Sequence, residues 1–204
     1  AGQDWEPVGG GLSAGGYGGM ALVPWGQGAG SSLCVGGSFG TVGRGPALGI
    51  ARLQGGRPVA LGQRGSAPIA VLAALEDRGG EALWAGGAFH GIDGLASRSV
   101  ARWDARGWTV PGAGLDGPVY AVAAFDAGSG PVVYAGGSFG TGGDPWSLAR
   151  LVGDRWERVP GGPTSPVYAL QVHDDGNGPA LYVGGAFGAV GSVAASRIAR
   201  WDGA

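Results

Sequence analysis

The chain has 204 residues, a formal net charge of −2, 44% apolar residues, 48 glycines and 13 prolines, and all its strongly basic residues are arginines. Its apolar content excludes a disordered chain. Its scattered arginines form no basic patch for nucleic acid, and no apolar run reaches the ~18 residues of a membrane-spanning helix. Cys34, the single cysteine, excludes a disulfide framework or a cysteine-based metal site and reads as a small buried apolar residue.

In chain order, Asp4-Trp5-Glu6-Pro7-Val8 reads as a short strand. A unit of four parts then repeats. It begins with an apolar run (Gly19–Val23, Pro68–Leu75, Pro118–Phe125, Pro166–Val172), followed by a turn rich in Asp and Gly. Next comes a short apolar segment ending in Gly-Gly-x-Phe, with the diglycines Gly36-Gly37, Gly86-Gly87, Gly136-Gly137 and Gly184-Gly185 and the aromatics Phe39, Phe89, Phe139 and Phe187. The last part is an Ala-Arg segment, carrying Arg52, Arg102, Arg150 and Arg200, with a tryptophan segment after it at Trp108 and Trp156. Each part is too short for a helix and is bounded by turn residues, which predicts antiparallel strands. Neither alternate set of Val119–Phe125 is polar, so such strands are covered on both faces. One unit cannot cover both of its own faces, so the units must stack on one another.

The predicted fold is all-β: a β-propeller of four ~50-residue, four-stranded antiparallel blades in one domain, 1–204. The blades fall at about 17–60, 66–110, 116–160 and 164–204, with residues 1–9 as a strand closing the last. Arg57-Pro58 replaces the tryptophan in the first unit and predicts an irregular outer edge there.

The order of apolar strand, diglycine strand, Ala-Arg strand and tryptophan strand resembles the Kelch-type propeller repeat. The wording of Tyr134–Phe139 and Ile198–Asp202 is similar to Gly-rich propeller repeats of bacterial surface or secreted proteins. That resemblance implies an extracellular or cell-surface setting. It specifies fold far more than function.

The four phenylalanines and four arginines read as packing and strand-tying positions, with Asp104 and Asp202 as arginine partners. The turns at Glu76-Asp77, Asp126 and Asp174–Asn177 read as Asp-stabilised hairpins. They lack the full oxygen set that calcium requires, and no cofactor is implied. His90 and His173 fall in different parts of the repeat and predict no metal pair. Residues that break the repeat are freer of packing demands, so Trp25, Trp146, His90 and His173 are the candidate ligand-binding residues, with Ile92, Asp144 and Pro145 beside them. No nucleophile elbow, metalloprotease helix or phosphate loop occurs. The expected function is non-catalytic: binding of a protein or carbohydrate ligand, or scaffolding. Alternatives are a lectin-like module and a polysaccharide-acting enzyme with acidic residues at the ring axis. Self-association into a larger ring is a further expectation, since an unclosed chain would expose sheet edges and apolar faces.

Overall fold

A computed structural model describes residues 8, 10–13, 19–26, 30–43, 45–47, 49–62, 65–66, 68–140 and 145–203. Among the described residues its regular structure is all-β apart from short 3-10 segments, such as Pro111–Ala113. Sheet 1 joins Gly19–Trp25, Ser32–Gly37, Ile50–Gln54 and Arg57–Ala60 in that order. Sheet 2 joins Ile69–Asp77, Gly80–Gly87, Val100–Asp104 and Gly107–Thr109, and sheet 3 joins Val119–Phe125, Val132–Phe139, Trp146–Val152 and Arg155–Arg158. Sheet 4 has three described strands: Val167–Asp174, Pro179–Gly185 and Ile198–Trp201. All neighbours within these sheets pair antiparallel. The expected closing strand, with Trp5, lies outside the described residues, as does Asp144.

Two details differ from expectation. The outer strand of sheet 1 is regular: Arg57–Ala60 pairs in unbroken register with Ala51–Gln54. Pro58 sits on an edge strand, where a missing N–H leaves the ladder intact. The stretch after Phe39, Phe89 and Phe187 is also more than a loop. Thr41–Val42 pairs with Gly45–Pro46, Gly91–Ile92 with Leu95–Ala96, and Ala189–Val190 with Val193–Ala194. Leu12–Ser13 and Gly65–Ser66 add a further strand to the first and second of these hairpins. In the second hairpin Asp93 and Gly94 both take positive φ, as a two-residue hairpin turn requires.

The sheets stack face to face through their first strands, 1 on 2, 2 on 3 and 3 on 4. Each junction has its own apolar core. Cys34 and Ile50 meet Leu72, Leu83 and Ala101; Trp84 and Val100 meet Val122 and Val133; Tyr134 and Leu148 meet Leu181 and Val183. No comparable packing joins Val167–Asp174 back to Gly19–Trp25.

The diglycines explain the spacing. A Cβ on Gly36 would lie 2.7 Å from Ile69, on Gly86 2.6 Å from Val119, and on Gly136 2.4 Å from Val167, each in the following sheet. The first glycine of the pair thus admits the neighbouring sheet. A Cβ on the second would strike backbone of its own sheet, the Pro68 carbonyl at 2.1 Å for Gly87 and the Pro118 carbonyl at 2.1 Å for Gly137. Phe39, Phe89, Phe139 and Phe187 are all buried, filling the end of each sheet as packing residues.

Candidate functional site

Two clefts open between sheets 2 and 3, at opposite ends of their strands. The one at the turn end, about 200 Å³, is walled by Asp77, Trp84 and Arg102. Arg102 donates from Nε to Asp77 at 2.7 Å and from Nη2 to its other oxygen at 3.2 Å, and it also bonds Asp104. The Trp84 indole donates to Asp77 at 3.0 Å, and the Gly79 amide at 2.7 Å. Burial alone would raise the Asp77 pKa. The donors Arg102, Gly79 and Trp84, with the Arg102 charge, outweigh it and hold the carboxyl below its ordinary range. Hydrogen bonding to Asp77 in turn raises Arg102. These groups satisfy one another, so this end is a structural clamp. Arg102 pairs with the expected Asp104, and Arg200 reaches Asp202 at 3.9 Å.

The other cleft, about 350 Å³, lies at the hairpin end. Its floor is apolar, from Ala88, Leu115 and Pro118, and its polar groups are His90, Arg98, Ser99 and Asp116. The walls are pinned. The Leu115 amide donates to the Arg98 carbonyl at 2.7 Å, and the Ser99 amide to the Phe89 carbonyl at 2.9 Å. Ser99 holds φ at +63°, a conformation that its counterpart Gly49 adopts freely. At Gly114 a Cβ would lie 2.3 Å from the Arg98 carbonyl oxygen, so only glycine lets the connecting segment approach so closely. Asp116 accepts from the Gly140 amide at 3.2 Å, and the Arg98 guanidinium makes no hydrogen bond or ion pair among the described residues.

These polar residues are specific to one junction. Where sheet 2 has His90, the other repeats have Gly40, Gly140 and Gly188; where it has Arg98 they have Leu48, Trp146 and Ser196. Asp116 replaces Ser66 and Thr164. A pre-formed concavity with an apolar floor and a few convergent polar groups is the ordinary form of a small-ligand site. A guanidinium there can grip a carboxylate through two parallel N–H donors, while Asp116 and Ser99 can bond hydroxyls.

The four ligand candidates from sequence have four different surroundings. His90 lines this cleft. Trp25 packs in the core between sheets 1 and 2, edge-on to Trp103 with centroids 5.5 Å apart. Trp146 packs on Phe139 at 5.1 Å in the core between sheets 2 and 3. His173 sits against Tyr182 at 5.9 Å on sheet 4. Arg98 and Asp116 escaped sequence reading, although both break the repeat as plainly as His90.

The Asp turns bond themselves. Asp126 accepts from the Gly128 and Gly130 amides, and Asp174 from those of Gly176 and Gly178. Asp175 accepts from the Tyr182 hydroxyl at 2.8 Å and from both the backbone and side-chain amides of Asn177, which bring its pKa down to about 2. Burial pushes the Cys34 thiol up to about 11 against a smaller opposing effect of Arg52, so this sulfur stays protonated and inert. Among the described residues no three His, Cys, Asp or Glu side chains gather as a metal site, and no helix is long and apolar enough to cross a membrane. Compared with family models, curated proteins and solved structures, the chain matches none.

Proposed function

We propose that the four stacked sheets are blades of a β-propeller of the Kelch-like, Gly-rich kind, acting at a cell surface or outside the cell as a non-catalytic binding module. The cleft of His90, Arg98 and Asp116 takes the carboxylate of an acidic ligand, an acidic sugar or an acidic peptide side chain. The observation that carries this reading is the convergence of three repeat-breaking polar residues on one pinned, apolar-floored cleft. Arg98 supplies the fork for the carboxylate, and Asp116 with Ser99 orients neighbouring hydroxyls. A non-catalytic role is supported by the engagement of Asp77, Asp126, Asp174 and Asp175 in their own turns and by the protonated state of Cys34.

The test is an array of uronic-acid and sialic-acid glycans with acidic peptides, screened against the protein and Arg98→Ala. Binding that falls at least tenfold in Arg98→Ala, at unchanged melting temperature, supports the reading. Binding that survives Arg98→Ala would refute the site.

A further inference from the structure

The first strand of every sheet carries a β-bulge at the same place. Opposite each diglycine the register skips one residue: Met20, Ala70, Tyr120 and Tyr168. A bulged residue drops out of the ladder and its side chain is re-aimed, which is why bulges recur beside binding sites. Met20 and Ala70 serve this position in sheets 1 and 2, so the bulge itself does not demand an aromatic ring. The first strands lie side by side from sheet 1 to sheet 4. The two tyrosines meet across sheets 3 and 4, with ring centroids 5.4 Å apart and planes tilted by 46°.

The pair is not packed as a core pair is. Phe125 and Tyr134, with centroids 6.2 Å apart, are only 2% and 3% exposed. Tyr168 is 56% exposed, more than any other Phe, Tyr or Trp among the described residues, while Tyr120 is half-buried and supports it from the side. Neither phenol makes a hydrogen bond among the described residues. The pair also shares its place with the cleft. Val119 and Val167 oppose Gly137 and Gly185, so both bulges lie at the hairpin end of the sheets. Pro118 of the cleft floor precedes Tyr120 by two residues, about 7 Å of extended chain.

We propose that Tyr168, backed by Tyr120, is a second subsite for the ligand of the cleft: a stacking platform for the sugar ring next to the acidic unit held by Arg98. The ligand is an acidic polysaccharide rather than an acidic peptide. This rests on the reading of the cleft as an acid site. A pyranose ring has an apolar C–H face that covers a phenol ring, and hydroxyls at its rim that can bond the free phenol O–H. Asp116 discriminates in the same direction. Its exposed carboxylate accepts from sugar hydroxyls but repels the further charges of an acidic peptide.

The experiment titrates uronic-acid oligosaccharides of increasing length, monomer to hexamer, into the parent protein, Tyr168→Ala, Tyr168→Phe and Arg98→Ala. In the parent, affinity should rise roughly tenfold once the chain is long enough to reach the platform. Tyr168→Ala should bind the monomer as the parent does and lose the gain with length; Tyr168→Phe, which keeps the ring, should retain most of it. Arg98→Ala should lose binding at every length. Tyr168 is exposed, so its variants should melt with the parent. Affinity equal at all lengths, or a gain that survives in Tyr168→Ala, overturns the platform and leaves the acid site standing. A gain with length for acidic peptides that is lost in Tyr168→Ala overturns the choice of a sugar. Monomer binding that survives Arg98→Ala, or no binding of any uronate, overturns both readings.

Discussion

Sheets 2 and 4 carry nearly the same polar set at the same places: Asp77 and Asp175 in the turn, Trp84 and Tyr182 on the second strand, Arg102 and Arg200 on the third, Asp104 and Asp202 beyond it. The outcomes differ. On sheet 2 the arginine is enclosed, 13% exposed, and clasps Asp77 at 2.7 Å. On sheet 4 the arginine is 32% exposed and reaches the Gly178 carbonyl at 3.2 Å and Asp202 at 3.9 Å, while Asp175 is taken by Tyr182. Sheet 3 covers the first set, and no sheet among the described residues covers the second. The stacked neighbour turns a surface pair into a clamp, because removal of water strengthens the attraction and fixes both side chains.

The largest effect expected from this contrast comes from Asp77. Its loss in Asp77→Ala leaves Arg102 enclosed with only Asp104, and thermal unfolding should reveal a cost of about 3 kcal/mol. Asp175→Ala should leave the melting temperature of dilute protein nearly unchanged. The same clamp sets a pH dependence. The Asp77 carboxyl lies below its unfolded value, so its stabilisation is complete above about pH 4 and is lost as pH falls through the lower folded value. Melting against pH should therefore show a shallower acid limb in Asp77→Ala than in the parent; identical limbs would mean that the clamp contributes nothing.

A smaller effect separates the glycines. Gly86→Ala places a methyl 2.6 Å from Val119 and 2.7 Å from Val71, and overpacking of this kind costs about 2 kcal/mol. Gly184→Ala meets only ordinary contacts, so in dilute protein it should lie within about 0.5 kcal/mol of the parent. Equal costs at the two positions would break the comparison.

Much of this was open to sequence reading because it is local. The period, the four strands of a unit and the Asp turns follow from residues within one turn or hairpin of each other, and Asp126 and Asp174 bond amides two and four residues on. The clamp and the cleft are not local. Asp77 lies 25 residues before Arg102, and its pairing depends on sheet 3 closing over it. His90 and Arg98 flank the hairpin of Gly91–Ile92 with Leu95–Ala96, and Asp116 comes from the next connection; each segment reads alone as a solvated surface stretch. Trp25 and Trp146 break the pattern of the repeat, and both are partly buried and packed against its cores, a placement set by neighbouring sheets rather than by local sequence. The two-residue strands of the added hairpins are too short for periodicity to detect.

Amide hydrogen exchange tests most directly whether a stacked neighbour sets the stability of each sheet. Exchange at Val100–Asp104, held between two strands of its own sheet and covered by sheet 3, should be slow. Exchange at Ile198–Trp201, paired with Pro179–Gly185 and with Ile198 exposed, should be much faster. Equal protection of the two segments would contradict the account, because stacking would then add nothing to the stability of sheet 2.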